Sequence, residues 1–489
     1  MNIKSIRVPI PPTILLTFIL STLLLYATSL VAPDLVKGPV LLLAALMIIV
    51  ITFSSIELAL YFLILATLLS PELTIGGATT PGDIVTGKVS TTESRGITVR
   101  LDDVMLTLIS ITWIFRIAIR NEIGLLRSTP INQAAGLYWF AAAFSTLLAF
   151  FQGNVGIFGI FFVLKYLEYF VLFYLVVNYI HDEAIIKRLL IVMFFTCIVA
   201  SLFGIAQIPQ GLRVSAPFEG AEGEPNTFGG YLMFMFSILL GILLHTTHKK
   251  QRMMIFIMLG IIMVPFIFTE SRSSYLSFAA SIILFLFYAR KKTLLIFICL
   301  AGLAISPFVI PKSVTQRIMF TFNQAEQEGQ LRVGGIKIDT STTERLKSWD
   351  RVLTQSFPEH PVFGVGVTGG GFLDAQYPRV LLETGMVGMI LFVWLLRRIW
   401  VTLKKGYQTI SDPVMRGVAL GALCGYGGLL VHAIGANTFI IVRIMEPFMI
   451  ILGLIISMRR LEKEKATTEK NNPDTWLAQP SSNTSSITN

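Results

Sequence analysis

What most limits the fold of this chain is the recurrence of apolar runs of about 18 to 22 residues, the length that crosses the hydrocarbon core of a bilayer. They succeed one another through most of its 489 residues. Charged residues make up 14% of the chain and hydrophobic ones 54%, where a soluble domain carries about 25% charged residues. Mean hydropathy is +0.72. Alternation with a period of two, the mark of a transmembrane β-barrel, is absent. The chain is therefore expected to be an all-α polytopic membrane protein with about 12 to 14 transmembrane helices and a large, partly helical extracytoplasmic loop.

Spans are expected near residues 12–32, 38–54, 56–70, 102–118, 131–151, 156–179, 188–208, 227–246, 252–269, 274–290, 293–310, 379–398, 413–433 and 438–458. The first follows a short basic start (Lys4, Arg7) and is long for a signal segment, so it reads as a helix of the bundle. Cys197, Cys299 and Cys424 lie in apolar runs and imply no disulfide framework. His181, His245, His248, His360 and His432 are scattered, so no metal site and no cofactor is expected.

Lys and Arg in short loops set orientation. The clusters Arg116/Arg120/Arg127, Lys187/Arg188, Lys249/Lys250/Arg252, Arg290/Lys291/Lys292, Arg397/Arg398/Lys404/Lys405 and Arg459/Arg460 fall on one side, which is taken as cytoplasmic. The membrane domain is expected over 1–461. The Thr-, Asn- and Ser-rich stretch 462–489 is expected to be a disordered cytoplasmic tail.

The opposite side carries three polar stretches, 71–101, 209–226 and 311–377. With nearby span ends they hold Arg95, Arg100, Arg213, Arg272, Arg317, Arg332, Arg345, Arg351 and Arg379. Two readings fit. Long loops escape the charge rule, or this face receives an anionic lipid head group, for which the forked Arg donor suits diphosphate.

The stretch 311–377 has no obvious strands, and structureless loops of this length are usually functional. Lys312 to Phe322 reads as a short interfacial helix. Ser341 and Glu344 form a capping box that opens a helix with Leu346, Trp349 and Leu353 on one face. HPVFGVG then breaks that helix, its glycines permitting tight turns. No Lys–Ser/Thr pair follows, so a nucleotide P-loop is rejected.

Each candidate for chemistry has a plain reading beside it. Arg272, in Glu270-Ser271-Arg272-Ser273 at a span end, either snorkels to water or faces a cavity and binds pyrophosphate. Arg213 and Asn226 lie in LRVSAPFEGAEGEPNTFGGYL, a connecting loop or a tight re-entry. Lys165 with Glu168, and Arg443 with Glu446, stand at i, i+3 inside apolar spans and are expected to pair. Arg443 lies near enough to the outer end to reach an outward cavity. His432 reads as a satisfied core residue. Asp374, shortly before Tyr377 and Arg379, is either a helix cap or a general base, or orients a sugar hydroxyl.

In their order, RVSAPF…EPNTFGGYL, TESRSSYLSF, ERLKSWDRVL and HPVFGVGVTGGGFLDAQYPRVLLETGMVG resemble the O-antigen polymerase/ligase superfamily of bacterial surface-polysaccharide assembly. The resemblance is strongest over about 209–400. It implies a metal-independent glycosyltransferase in the bacterial inner membrane, acting on polyprenyl-diphosphate-linked sugars at the outward face. Its expected partners are that lipid-linked oligosaccharide, the bilayer and a chain-length regulator, with no nucleic acid. Ligases of the family carry a His-Asn pair shortly before a Tyr and a Glu-Thr-Gly. Here Tyr377, Glu383, Thr384 and Gly385 fit, but the pair's positions hold Asp374 and Ala375, which favours a polymerase-type member. In that reading Asp374, Arg272 and Arg213 are catalytic, and Arg345, Trp349, Asn226, Tyr377, Arg379 and Arg443 bind substrate. A ligase with another base, or a transporter of lipid-linked saccharide, is the alternative.

Overall fold

In lipid every backbone polar group must be satisfied within its own segment or by protein, which commits each apolar run to a helix. The computed structural model follows this rule. It describes residues 50, 55–70, 72–75, 97–119, 127–211, 213–219, 223–290, 292–293, 295–297, 300, 332–333, 336–337, 340–371 and 373–470. The span expected at 12–32, all of that at 38–54 except Val50, the interfacial helix at 312–322, Cys299 and most of the span at 293–310 lie outside these residues. So do the side chains of Ser341 and Glu344.

Among the described residues the helices given by their bounds are, in chain order, α1 (Ile56–Leu69), α2 (Leu101–Ile119), α3 (Asn132–Phe151), α4 (Ile157–Tyr179), α5 (Glu183–Gln207) and α6 (Pro225–His245). Then come α7 (Lys249–Phe268), α8 (Arg272–Tyr288), α9 (Thr340–Arg351), α10 (Gln376–Thr409), α11 (Pro413–His432) and α12 (Val442–Lys470). Among the described residues seven helices are long and apolar enough to cross a membrane, and α1 and α8 are shorter apolar helices. The protein is an all-α polytopic membrane protein.

Among the described residues two short antiparallel strand pairs accompany the helices. β1 (Glu72–Ile75) pairs with β2 (Ile97–Arg100), Glu72 opposite Arg100. In the long loop, β3 (Arg332–Val333) pairs with β4 (Ile336–Lys337), so that segment is not strand-free as expected.

Helix ends move where a cap sets them. α5 starts five residues before the expected 188 because the Asp182 side chain accepts from the Ala184 N–H at 3.3 Å. α12 runs to Lys470, past residue 461 where the tail was expected to begin. Glu462 there accepts from the N–H groups of Ser411 (2.9 Å) and Asp412 (3.1 Å), and Lys465 meets Glu183 at 2.7 Å. α9 ends at Arg351 in a π-helical turn, so Leu353 does not share its face, and Leu346 and Leu353 are both exposed.

The core is built round α6 and α11, which touch backbone to backbone. A Cβ on Gly417 would stand 2.6 Å from Cα of Ile242, and one on Gly241 would stand 2.9 Å from Cα of Gly421. Small residues permit this approach where no hydrophobic force drives helices together. The hydroxyls of Ser237 and Ser281, 2.9 Å apart, tie α6 to α8. Cys197 and Cys424 are buried free thiols.

The two expected i, i+3 pairs do not form. Lys165 reaches Asp103 on α2 at 3.0 Å instead. Arg443 pairs with Glu219, and Glu446 accepts from the Thr67 hydroxyl at 2.5 Å. Neighbouring elements bring polar groups that need a partner of their own.

α10 is two helices. Gly385 sits at φ 62°, ψ −163°, and breaks the run. Such a break strands the carbonyls of residues 382 and 383 and the N–H groups of 386 and 387, partners in an unbroken helix. The HPVFGVG loop takes up all four. Val365 and Gly366 donate to Leu382 and Glu383, each at 3.0 Å, and Pro361 and Val362 accept from Met386 (2.9 Å) and Val387 (3.2 Å). At Gly364, also left-handed, an added Cβ would fall 2.6 Å from the Gly385 nitrogen.

Candidate active site

The ends of the bundle opposite the Lys/Arg clusters gather the singled-out residues. The turn between α7 and α8 is the first element. Glu270 takes a left-handed φ of 51° there, so the chain reverses within three residues. Ser271 caps α8 by accepting from the Ser274 N–H at 3.3 Å. Arg272 is therefore the first residue of a helix, whose positive dipole end favours an anion.

Arg213 docks on the same turn. Its Nε donates to the Thr269 carbonyl at 3.1 Å and its Nη2 to the Glu270 carbonyl at 3.4 Å. A guanidinium on the last carbonyls of α7 satisfies acceptors that the helix leaves open. Val214 N–H adds a bond to Phe268 at 3.0 Å.

His432 pins this turn from below. It is fully buried; its Nε2 lies 3.3 Å from the Ser274 hydroxyl and its Nδ1 2.8 Å from that of Thr438. Asn226 is the second residue of α6, one turn before Gly230, where an added Cβ would lie 3.1 Å from His432 Cε1. Ser274 continues to Ser271 at 2.8 Å.

The second element is the ion pair between Arg345 on α9 and Asp374. Arg345 Nη2 meets Asp374 Oδ2 at 3.1 Å, with the side chains 22% and 42% exposed. Arg345 Nε is buried with no hydrogen-bond partner. Asp374 does not cap α10: the N-cap is Ala375, and no side chain bonds there. Arg345 also approaches the turn that carries Arg272. A Cβ on Gly435 would lie 3.6 Å from Ser273 Cβ and 3.8 Å from Arg345 Nη1.

Asp374 is held by its neighbours. The loop after α11 grips the segment around it: Asn437 Nδ2 donates to the Leu373 carbonyl at 2.7 Å, and Gln376 N–H donates to Ala433 at 3.1 Å. Phe439 N–H donates to Gln376 Oε1 at 2.9 Å, and the Tyr377 hydroxyl to the Leu430 carbonyl at 2.7 Å. Tyr377 thus serves the docking of Asp374.

Arg379 and Arg443 lie apart from that mouth. Arg379 Nε meets Glu383 Oε1 at 2.9 Å in a nearly enclosed pair. Glu383 also accepts from Thr368 N–H (3.2 Å) and the Tyr166 hydroxyl (3.3 Å). Arg443 is fully buried against Glu219. Burial pushes the Glu219 carboxyl up to about 7, and the Arg443 charge only partly opposes it. Trp349 is half-buried on α9.

Arg213, Arg272, Arg345 and Asp374 are thus linked through the 269–274 turn and the loop after α11. Sequence reasoning passed over Glu219, Gln376, Asn437 and Thr438. A lone amide in the apolar AIGANTFIIV was the available signal for Asn437.

Residues 263–393 match the family model described as O-antigen ligase. The matched stretch contains Arg272, Arg345, Asp374 and the Gly385 break, while Arg213, Asn226 and Arg443 lie outside it. No curated protein matches the chain. Members of the matched family are glycosyl-transfer-type enzymes in polysaccharide assembly. The match to the O-antigen ligase model covers about a quarter of a polytopic helical membrane protein, the stretch that holds the α7–α8 turn, Arg345 and Asp374.

Proposed function

We propose that the protein is a surface-polysaccharide polymerase that joins polyprenyl-diphosphate-linked repeat units at the outward face of the bacterial cytoplasmic membrane. The observation that carries this reading is the Arg345–Asp374 pair, set beside the α7–α8 turn where Arg213 and Arg272 lie. A carboxylate and several guanidiniums at one mouth suit a reaction in which a hydroxyl attacks and a diphosphate leaves.

The acceptor hydroxyl of one lipid-linked repeat attacks the anomeric carbon of another. The new glycosidic C–O bond forms as the bond from that carbon to the diphosphate oxygen breaks. Asp374 orients the hydroxyl and takes its proton. The departing oxygens gain charge, which Arg213 and Arg272 stabilise more strongly than they stabilise the bound donor. Arg345, whose Nε holds no partner, turns to the diphosphate as Asp374 engages the acceptor. A single displacement inverts the anomeric configuration. Trp349 and Asn226 line the approach of the sugar.

The description of the matched domain favours a second reading, in which the acceptor is a lipid A core. Asp374 at the family's His position supports the polymerase. Purified protein is supplied with lipid-linked repeats extracted from the cell, with and without lipid A core. A ladder of extended lipid-linked products, lost in Arg272→Ala and Asp374→Ala, is the expected result. Transfer to the core without a ladder selects the ligase. Normal laddering by both variants removes the site assignment.

A further inference from the structure

Glu219 lies in the connection between α5 and α6, six residues after Arg213, and its side chain is 3% exposed. Oε1 accepts from Nη1 of Arg443 on α12. Oε2 accepts from the N–H groups of Ala216 at 3.1 Å and Glu224 at 2.8 Å. One carboxyl thereby draws the middle and the end of the connection together and fastens them to α12. Nearer Arg213, Gln207 and Ser215 exchange two bonds, at 3.0 and 3.1 Å. Gly223, left-handed at φ 56°, leaves no room for a Cβ, which would fall 2.5 Å from that of Ser215.

A buried ion pair is weak evidence for stability, because apolar residues of similar volume often hold a fold as well. What the pair supplies instead is direction. Three bonds converge on one carboxyl, and the connection they fix starts with the guanidinium seated on the α7–α8 turn. We infer that Glu219 is a positioning residue for Arg213, with Arg443 serving the site through Glu219 and not by contact with substrate. The inference rests on the reading of Arg213 as a diphosphate ligand.

The probe is undecaprenyl diphosphate, and its affinity is measured for the full chain in nanodiscs. Glu219→Ala weakens binding about tenfold, as expected for loss of a hydrogen bond to a charged group. Glu219→Gln recovers part of this, since its amide oxygen still accepts while its amide nitrogen does not. The deciding variant is Arg213→Ala with Glu219→Ala, which binds no more weakly than Arg213→Ala alone. A merely structural Glu219 gives losses that multiply, as independent sites do, and that result overturns the inference. Unchanged affinity in both Glu219 variants overturns it too. Thermal unfolding checks each protein, and if Glu219→Ala does not fold, the same cycle is run with Glu219→Gln. An Arg213→Ala protein that binds normally removes the reading of Arg213 itself, a different failure from multiplied losses.

Discussion

The Ser145 hydroxyl, on α3, stands 2.7 Å from the Glu383 carbonyl oxygen, one of the acceptors stranded where α10 breaks. The same hydroxyl reaches the Phe363 carbonyl in the loop that clasps the break. α3, the loop and both halves of α10 thus meet at one point. Ser145→Ala should lower stability by about 1 kcal/mol, the net worth of a typical hydrogen bond. Gly385→Ala should cost more, on the order of 1–3 kcal/mol, because the backbone there disfavours any side chain. Thermal melts in detergent rank the two.

Arg379 and Glu383 form a nearly enclosed pair. Removing one partner leaves a buried charge alone, at about 3–5 kcal/mol. Arg379→Ala and Glu383→Ala should each reduce the yield of folded protein, and Arg379→Met with Glu383→Leu should restore much of it. Yield and melting temperature of the three proteins measure this. A restored fold that also binds undecaprenyl diphosphate normally would show that Arg379 acts on packing and not on substrate.

Asn437 holds the Leu373 carbonyl and so the backbone beside Asp374. Asn437→Ala should slow polymer laddering by about tenfold, the equivalent of one buried hydrogen bond, with undecaprenyl diphosphate affinity unchanged. Equal loss of both would mean that the loop after α11 supports the whole mouth and not the carboxylate alone.

Glu219 gives a pH dependence. Burial raises its carboxyl from the ordinary 4.5 to about 7, against the Arg443 charge and with the Glu224 carboxylate beside it. A group raised in the folded state binds its proton more tightly there than in the unfolded chain. Its contribution is full below 4.5 and falls away as pH rises through about 7. The melting temperature of the wild type, relative to Glu219→Gln, should therefore drop between those values and level off above them. A flat difference across that range would contradict the assignment.

The spans were legible because length and apolarity suffice to demand a helix in lipid, and α3, α4 and α11 fall within a residue or so of their expected ends. Ends set by a single side chain were harder. Asp182 extends α5, and the pairing of Glu462 with a turn 50 residues away accompanies the extension of α12. Arg345 and Asp374 were each visible as a charged residue in a polar stretch, but their meeting across 29 residues was not. Glu219 was hidden more deeply. EGAEGEPN reads as an ordinary acidic loop, and its partner lies 224 residues on. Local spacing fails for such residues because the groups that satisfy a buried charge come from other helices.

The Gly385 break also bears on how the protein meets membranes of different thickness. An unbroken helix of 34 residues would be about 51 Å long, well beyond a hydrocarbon core of about 30 Å. The C-terminal half, from 386 to 409, is about 36 Å by the same rise and is long enough to span with some tilt. It fits a hydrocarbon core of about 30 Å with less mismatch than the unbroken helix would, and the four clasping bonds hold the N-terminal half, next to Asp374, against it.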